Sequence, residues 1–141
     1  MGITTGAPLA SGILTGKYSG GKVPDGSRMG VPSYARLRAA KLEGEDAWQL
    51  GAADALKPVA HIVGCTLSQL AVAWCLNNRA VSTVILGATS AAQLEENVGA
   101  LAFLDKLDPI VMAGINAQST RGSTASSAAA RARPRSRIGA S

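Results

Sequence analysis

The chain has 141 residues, of which 47% are hydrophobic and 16% are charged, below the roughly 25% typical of soluble domains. This length predicts one ordinary domain and argues against two full ones. The net charge of +5 arises in residues 118–141, which contain five arginines and no acid, because residues 1–117 contain nine basic and nine acidic side chains. Because residues 1–117 carry no net charge, a nucleic-acid-binding fold is disfavoured.

The apolar runs and the cysteines indicate the cellular compartment to expect for the protein. The longest uninterrupted apolar run, Leu70–Leu76, is far shorter than the ~20 residues that cross a bilayer. Two cysteines, Cys65 and Cys75, predict no disulfide scaffold. We therefore expect a reduced, cytoplasmic protein without a transmembrane segment.

The first predicted element is a short strand at residues 3–5, followed by a loop at residues 6–12 that is rich in Gly, Pro and Ser. A helical turn is predicted at residues 13–18. Residues 19–46 contain so many Gly, Pro and Ser breaks that we predict a long irregular loop, and loops of this length are usually functional or disordered.

Two helices are predicted next. The first spans residues 46–63, with Asp46 as its N-cap, a bend or early turn at Pro58, and Gly64 after its last turn. The second begins at the capping-box pattern Thr66-Leu67-Ser68-Gln69 and ends at Asn77-Asn78. Its apolar spacing predicts a buried stripe made of Leu67, Leu70, Ala71 and Trp74.

A second strand and two more helices complete the chain. Residues 81–86 are rich in β-branched side chains and predict a strand buried on both faces. A turn at residues 87–89 and a second capping-box pattern, Ser90 to Gln93, predict a helix to about Gly99. We expect its inward face to carry Leu94, Val98 and Leu101. A last short helix is predicted at residues 107–117.

The alternation of strand, loop and helix indicates an α/β fold with parallel strands and right-handed crossovers. Two such strands cannot close a sheet, so the chain is predicted to form part of a larger fold. Both strands end in Gly-containing turns that lead into helical segments, where anions bind well. Lys17 and Arg28 are candidate countercharges, although the pattern from Gly87 to Gln93 is more often that of a plain helix cap.

Three segments resemble the aldo-keto reductases, and among them the branch of the voltage-gated potassium-channel β subunits. Residues 8–18 resemble the stretch after strand seven of that family, residues 64–76 its seventh helix, and residues 85–97 the strand-eight turn that holds the adenosine end of NADPH. The resemblance covers about residues 3–115. It implies the C-terminal portion of a (β/α)8 TIM barrel, about two strand–helix units of a fold that needs ~250 residues.

The resemblance also implies an NADPH site. Its residues are Pro8, Leu9, Ala10 and Ser11 along the pyrophosphate, Lys17 beside it, Ser27, Arg28, Gly87, Thr89 and Gln93 around the 2′-phosphate, and Glu96 and Asn97 at the adenine. A guanidinium together with helix N–H donors suits a dianionic phosphate. At Gly6-Ala7 the family pattern has Trp-Ser instead.

No catalytic residue is carried over. The family uses a Tyr general acid surrounded by Lys, Asp and His from the first half of the barrel, and none of those motifs occurs in this sequence. Tyr18 and Tyr34 lie in different contexts. No metal site is predicted, because the only histidine, His61, has no ligand partner at metal spacing. Trp74 and Cys75 are expected in the core, and Trp48 is expected to anchor a helix or contact a lid.

Three functions follow as hypotheses. The first is the NADPH-binding part of a carbonyl-reducing oxidoreductase, and the second is a non-catalytic accessory protein whose partner is an ion channel or a full-length barrel. The third and least favoured is anion binding by the tail. We expect residues 1–117 to form the partial reductase domain and residues 118–141 a disordered tail. The chain itself is expected to be a fragment, a truncated paralogue or the product of an incorrect gene model.

Overall fold

The computed structural model of the chain describes residues 2–119, so residues 120–141 of the predicted tail lie outside the described residues. Two strands, β1 (Ile3–Gly6) and β2 (Val81–Ile85), pair in parallel, as predicted. Ile3 is opposite Val81 and Gly6 is opposite Ile85, with an irregularity between Ile3 and Thr4. Because the strands are parallel, the segments that follow β1 and β2 leave the sheet at the same edge, where the carboxyl ends of both strands lie.

The long segment after β1 is more regular than predicted. Short 3₁₀ turns lie at Ala10–Thr15, Ser19–Gly21, Arg28–Gly30 and Pro32–Tyr34. They are followed by α1 (Ala35–Arg38), which continues as a π-helical turn over Ala39–Glu43. The irregular loop predicted at residues 19–46 is therefore wrong for residues 35–43, which are rich in the helix formers Ala, Leu, Arg and Lys.

The central helices are α2 (Trp48–Val63), which contains Pro58, and α3 (Leu67–Asn77). Gly64 ends α2 with φ +80° and donates its N–H to the carbonyls of Ala60 and His61, as a C-terminal glycine is expected to do. The Thr66–Gln69 capping box is confirmed in both of its hydrogen bonds.

Asp46 is not the N-cap of α2, so that prediction is wrong. The N-cap is Ala47, which makes no side-chain capping bond. The Asp46 carboxylate instead lies 3.0 Å from the Lys41 ammonium. The carboxylate that the sequence pattern assigned to the helix N-terminus therefore forms an ion pair with the preceding turn.

After β2 the chain forms α4 (Ala91–Val98), a 3₁₀ segment over Gly99–Lys106, and α5 at residues 109–119. Ser90 caps α4 by accepting from the Gln93 N–H at 3.3 Å. The Gln93 side chain does not return to Ser90, because its Oε1 accepts from Thr89. Asp108 begins α5 by accepting from the Val111 N–H at 2.8 Å.

The core surrounds α3, which packs against β2, α4 and the 3₁₀ segment after α4. Leu67 and Leu70 are buried as predicted, but Trp74 is 44% exposed. Two further predictions of burial are wrong. Strand β2 is not buried on both faces, since Ser82, Thr83 and Ile85 are exposed, Ile85 at 57%. In addition, α4 and the 3₁₀ segment after it leave large apolar side chains in solvent. Those side chains are Leu94, Val98 and Leu101. A two-stranded sheet offers too little surface to cover them.

Among residues 2–119 no single helix is long and apolar enough to cross a membrane.

A polar cluster ties the loop after β1 to α2. The Ser19 hydroxyl lies 2.6 Å from both the Gly16 carbonyl oxygen and Asp54 Oδ1, and it accepts from Lys57 Nζ at 2.5 Å. Lys57 Nζ also lies 2.7 Å from Asp54 Oδ1. The hydrogen bonds from Lys57 and then from Ser19 lower the pKa of Asp54 below its usual value. We call Ser19, Asp54 and Lys57 the loop latch.

Asp54→Asn should lower the free energy of unfolding at neutral pH by less than about 1 kcal/mol, because the pair is partly exposed. A carboxyl whose pKa is lower in the folded state stabilises the protein above its unfolded pKa, and that contribution is lost as the pH falls through the folded pKa. Urea unfolding should therefore separate the variant from wild type at neutral pH and not in acid. Asp25→Asn, at an exposed acid outside the latch, is the control, and a gap that widens in acid would contradict the account.

Candidate functional site

The two strand ends meet at one edge of the sheet. Residues 7–11 follow β1 directly and residues 86–89 follow β2, and the last residues of the two strands, Gly6 and Ile85, are opposite each other. Two of the segments expected to share a ligand, Pro8–Ser11 and Gly87–Thr89, therefore start side by side.

The turn after β1 is strained. Ala7, Ala10 and Ser11 have φ values of +52°, +47° and +61°, in the left-handed region that favours glycine. Each such residue costs roughly 1–2 kcal/mol, and non-glycine residues held in this region cluster at ligand-binding sites. Nothing in the sequence pattern predicts this conformation, because two of the three residues are alanines.

Lys17 lies against this turn. Pro8 is buried, Leu9, Ala10 and Ser11 are partly buried, and Lys17 is exposed. A methyl group placed on Gly12 would lie 3.2 Å from Lys17 Cε and 3.6 Å from its Nζ, so the lysine folds back over the turn. Its ammonium also lies 5.3 Å from the Tyr18 ring centroid. A positive charge is therefore available beside the backbone of the strained turn.

Ser27 and Arg28 combine an unpartnered hydroxyl with an unpaired cation. Ser27 is 8% exposed, and its Oγ has no hydrogen-bond partner within the described part of the chain. A buried hydroxyl without a partner costs about 1–3 kcal/mol. The exposed Arg28 guanidinium stacks 5.4 Å from the Tyr34 ring, and no carboxylate of residues 2–119 pairs with it. This pair is suited to an anion.

The residues after β2 are committed to local contacts. Gly87 and Thr89 are exposed, while Gln93 Oε1 accepts from the Thr89 N–H at 2.9 Å and from its hydroxyl at 3.1 Å. The Glu96 carbonyl accepts from Gln69 Nε2 at 3.1 Å, and Asn97 is 3% exposed. Within residues 2–119 no hydrogen bond joins this segment to Ser27 or Arg28. The structure thus joins the strand ends but leaves the Ser27–Arg28 turn without a direct link to the second one.

Tyr18 is the residue that sequence reasoning missed. It is fully buried, and its hydroxyl accepts from the Met29 N–H at 3.3 Å. Met29 is fully buried as well. The contact joins the loop that carries Lys17 to the turn that carries Arg28. The available signal was an aromatic residue within a stretch of Gly, Ser and Lys, in a chain with only two tyrosines.

An apolar cavity of about 320 Å³ lies between the 3₁₀ turn after β1 and helices α2, α3 and α5. Ile13, Leu14, Leu56, Leu70 and Trp74 contribute to its walls. Few polar groups line it, so it is unsuited to a phosphate and is distinct from the Ser27–Arg28 turn.

The two cysteines are poor candidates for a nucleophile. Burial raises the pKa of both thiols, Cys65 and Cys75, which are free, and this lowers their reactivity. In the described region no group of three His, Cys, Asp or Glu side chains is arranged to hold a metal ion.

Ala10→Gly should raise the free energy of unfolding by about 1 kcal/mol, because glycine adopts φ +47° without the steric cost that alanine bears. Thermal or urea unfolding measures the change. Ala55→Gly in the middle of α2 is the matched control and should lose about 1 kcal/mol. Equal destabilisation by both substitutions would show that the turn is not strained.

Comparison with known proteins identifies the family of the chain. The model of the aldo/keto reductase family matches residues 1–119. The chain is 45% identical over 112 residues to a probable voltage-gated potassium channel subunit beta of Arabidopsis thaliana, covering 79% of this chain and 33% of that protein. It is 44% identical over 117 residues to a protein of the same description in Oryza sativa subsp. japonica, covering 83% and 35%.

The chain spans about a third of the length of these relatives. Aldo/keto reductases generally use NAD(P)H, and their fold is a (β/α)8 barrel, with which a parallel strand pair flanked by helices is consistent. The match extends through both strands and all the helices described above. The chain therefore belongs to the aldo/keto reductase family.

Proposed function

We propose that this chain forms the phosphate-binding part of an NADPH site in the C-terminal third of an aldo-keto reductase barrel. The observation that carries the proposal is the Ser27–Arg28 turn, where a buried hydroxyl without a partner adjoins an unpaired guanidinium. A hydroxyl donor and a guanidinium fork both suit a phosphate oxyanion. A nicotinamide dinucleotide without the 2′-phosphate would leave them unmatched.

The strained turn after β1 supplies the second element of the site. Pro8, Leu9, Ala10 and Ser11 would run along the pyrophosphate, and the Lys17 ammonium would neutralise part of its charge. The turn after β2, Gly87 to Gln93, would approach the same nucleotide from the adjacent strand end. Glu96 and Asn97 would contact the adenine, and for the buried Asn97 this requires a local shift of α4.

NADPH, when bound, supplies the hydride for carbonyl reduction. The chain's own residues bind and orient the phosphates, and we assign them no chemical step. A reductase also needs a proton donor tuned by a neighbouring cation. We propose that this group belongs to the remaining strand–helix units of the barrel and that the chain alone is inactive.

The 2′-phosphate is the decisive probe. We expect the protein to bind 2′,5′-ADP more tightly than 5′-AMP, with Arg28→Ala removing most of that difference, about tenfold or more for a lost charge-assisted contact. Arg28→Lys should recover only part of it, because lysine lacks the planar fork. Isothermal titration calorimetry gives both affinities.

The control is Arg36→Ala, an exposed arginine of α1 in the same part of the chain, which should leave both affinities unchanged. Equal affinity of the wild-type protein for 2′,5′-ADP and 5′-AMP, or no binding of either, would contradict the proposal.

A second candidate function is that of a non-catalytic accessory protein. Both similar plant proteins carry the name of a potassium-channel subunit. In this proposal the family's catalytic residues lie outside this sequence. The structural support is the set of apolar side chains left in solvent, in particular Leu94, Val98 and Leu101. Within residues 2–119 each strand also has one edge without a paired neighbour. Both features favour a partner that contributes further strand–helix units, as a full-length barrel or its remainder would.

Association with the remainder of a barrel tests this candidate. We expect this chain to co-elute with the part of the Arabidopsis relative outside the matched third, and Leu94→Asp with Val98→Asp to abolish co-elution by placing charges in the contact. Ile62→Asp, at a residue 77% exposed on α2, is the control and should have no effect. Co-elution that persists in the Leu94 and Val98 variant would contradict a contact through this apolar surface.

A further inference from the structure

We infer that Tyr18 is a positioning residue that leaves the Ser27 side chain free to turn toward the ligand, because it occupies the backbone amide that Ser27 would otherwise cap. The inference deepens the proposed function and rests on it. Its structural basis is the set of hydrogen bonds around the short turn Arg28–Gly30.

Ser27 stands in the position of a capping residue but does not cap. It precedes the turn with extended backbone angles, φ −76° and ψ 157°, and makes no side-chain capping bond. A serine at such a position ordinarily accepts from the N–H two or three residues ahead, here Met29 or Gly30. The Met29 N–H donates to the Tyr18 hydroxyl, and the Gly30 N–H donates to the Ser27 carbonyl at 2.9 Å. The Ser27 Oγ is therefore left without a partner in the described chain.

Tyr18 is held firmly enough to compete for that amide. Its side chain is fully buried, and its neighbour Ser19 is fixed to α2 by the loop latch. Met29 is fully buried as well, so water cannot easily replace the phenol at its N–H. A buried amide needs a partner, and in this structure the partner is Tyr18 rather than Ser27.

The consequence is a link between two parts of the proposed site. The Tyr18 ring packs beneath the Lys17 ammonium, and its hydroxyl binds the amide that follows Arg28. Because the Ser27 Oγ is itself buried, a phosphate reaches it only when the Ser27 side chain rotates. A side chain held in a capping hydrogen bond would have to break that bond first. The hydroxyl that becomes available then is one that Tyr18 has kept free.

A double-mutant cycle tests the inference. Tyr18→Phe removes the acceptor, so the Ser27 Oγ should accept from the Met29 N–H, which holds the side chain in the capping orientation and stops it turning to the ligand. Ser27→Ala removes the hydroxyl directly. Each should weaken 2′,5′-ADP binding by about tenfold without changing 5′-AMP binding. The double variant should be no weaker than either single one, because both act through the same hydroxyl. Losses that multiply, or an unchanged affinity in Tyr18→Phe, would overturn the inference.

Tyr34→Phe is the matched control. It also removes a phenolic hydroxyl, and it keeps the ring that lies 5.4 Å from the Arg28 guanidinium. It should leave both affinities as in wild type, and a loss equal to that of Tyr18→Phe would assign the effect to general loosening of the loop and so overturn the inference.

A measurement without ligand separates this inference from the proposed function. The Met29 amide should exchange slowly in wild type and remain slow in Tyr18→Phe, where Ser27 takes over, but exchange faster in the variant that combines Tyr18→Phe with Ser27→Ala. Fast exchange in Tyr18→Phe alone would show that Ser27 does not replace the phenol. If wild type binds no 2′,5′-ADP, the proposed function fails. The hydrogen-exchange rates still show whether Ser27 replaces Tyr18 as the acceptor for the Met29 N–H.

Discussion

The parallel pairing of β1 with β2 is the interaction on which the rest of the structure depends. Because Gly6 is opposite Ile85, the strained turn after the first strand and the capped turn after the second leave the sheet at the same edge. An antiparallel arrangement would send the two turns to opposite ends of the sheet. Parallel strands need a long crossover. Here the crossover contains α2 and α3, and α3 packs against β2.

Side chains, rather than regular backbone structure, hold the loop after β1 in place. Tyr18 binds the Met29 amide inside the core, and the adjacent Ser19 binds Asp54 and Lys57 on α2. These contacts constrain a segment in which Ala7, Ala10 and Ser11 adopt an unfavourable conformation. A proposed phosphate site of this kind is assembled by tertiary contacts, which also leave Ser27 with an unused hydroxyl.

Local chemistry explains which features could be predicted from the sequence. The Thr66–Gln69 capping box and the glycine that ends α2 depend on atoms within a few residues, so their patterns are complete in the sequence. The exposure of Trp74 and Leu94 could not be predicted in this way, because an apolar pattern shows that a surface is to be covered without showing what covers it. The left-handed alanines, the Tyr18–Met29 contact and the pairing of Asp46 with Lys41 are decided by packing. The candidate site was reached by family resemblance, and only its strand-end geometry follows from the α/β pattern.

A cross-linking measurement tests the parallel register directly. Gly6→Cys and Ile85→Cys are introduced into protein that also carries Cys65→Ser and Cys75→Ala, and disulfide formation is followed by mass spectrometry under mild oxidation. Adjacent strands lie ~4.8 Å apart, within the reach of a disulfide. The account predicts rapid cross-linking of this pair and none between Gly6→Cys and Val81→Cys, which lie ~13 Å apart along the strand. Cross-linking of residue 6 to residue 81 in preference to residue 85 would contradict the parallel register and with it the shared edge on which the proposed site depends.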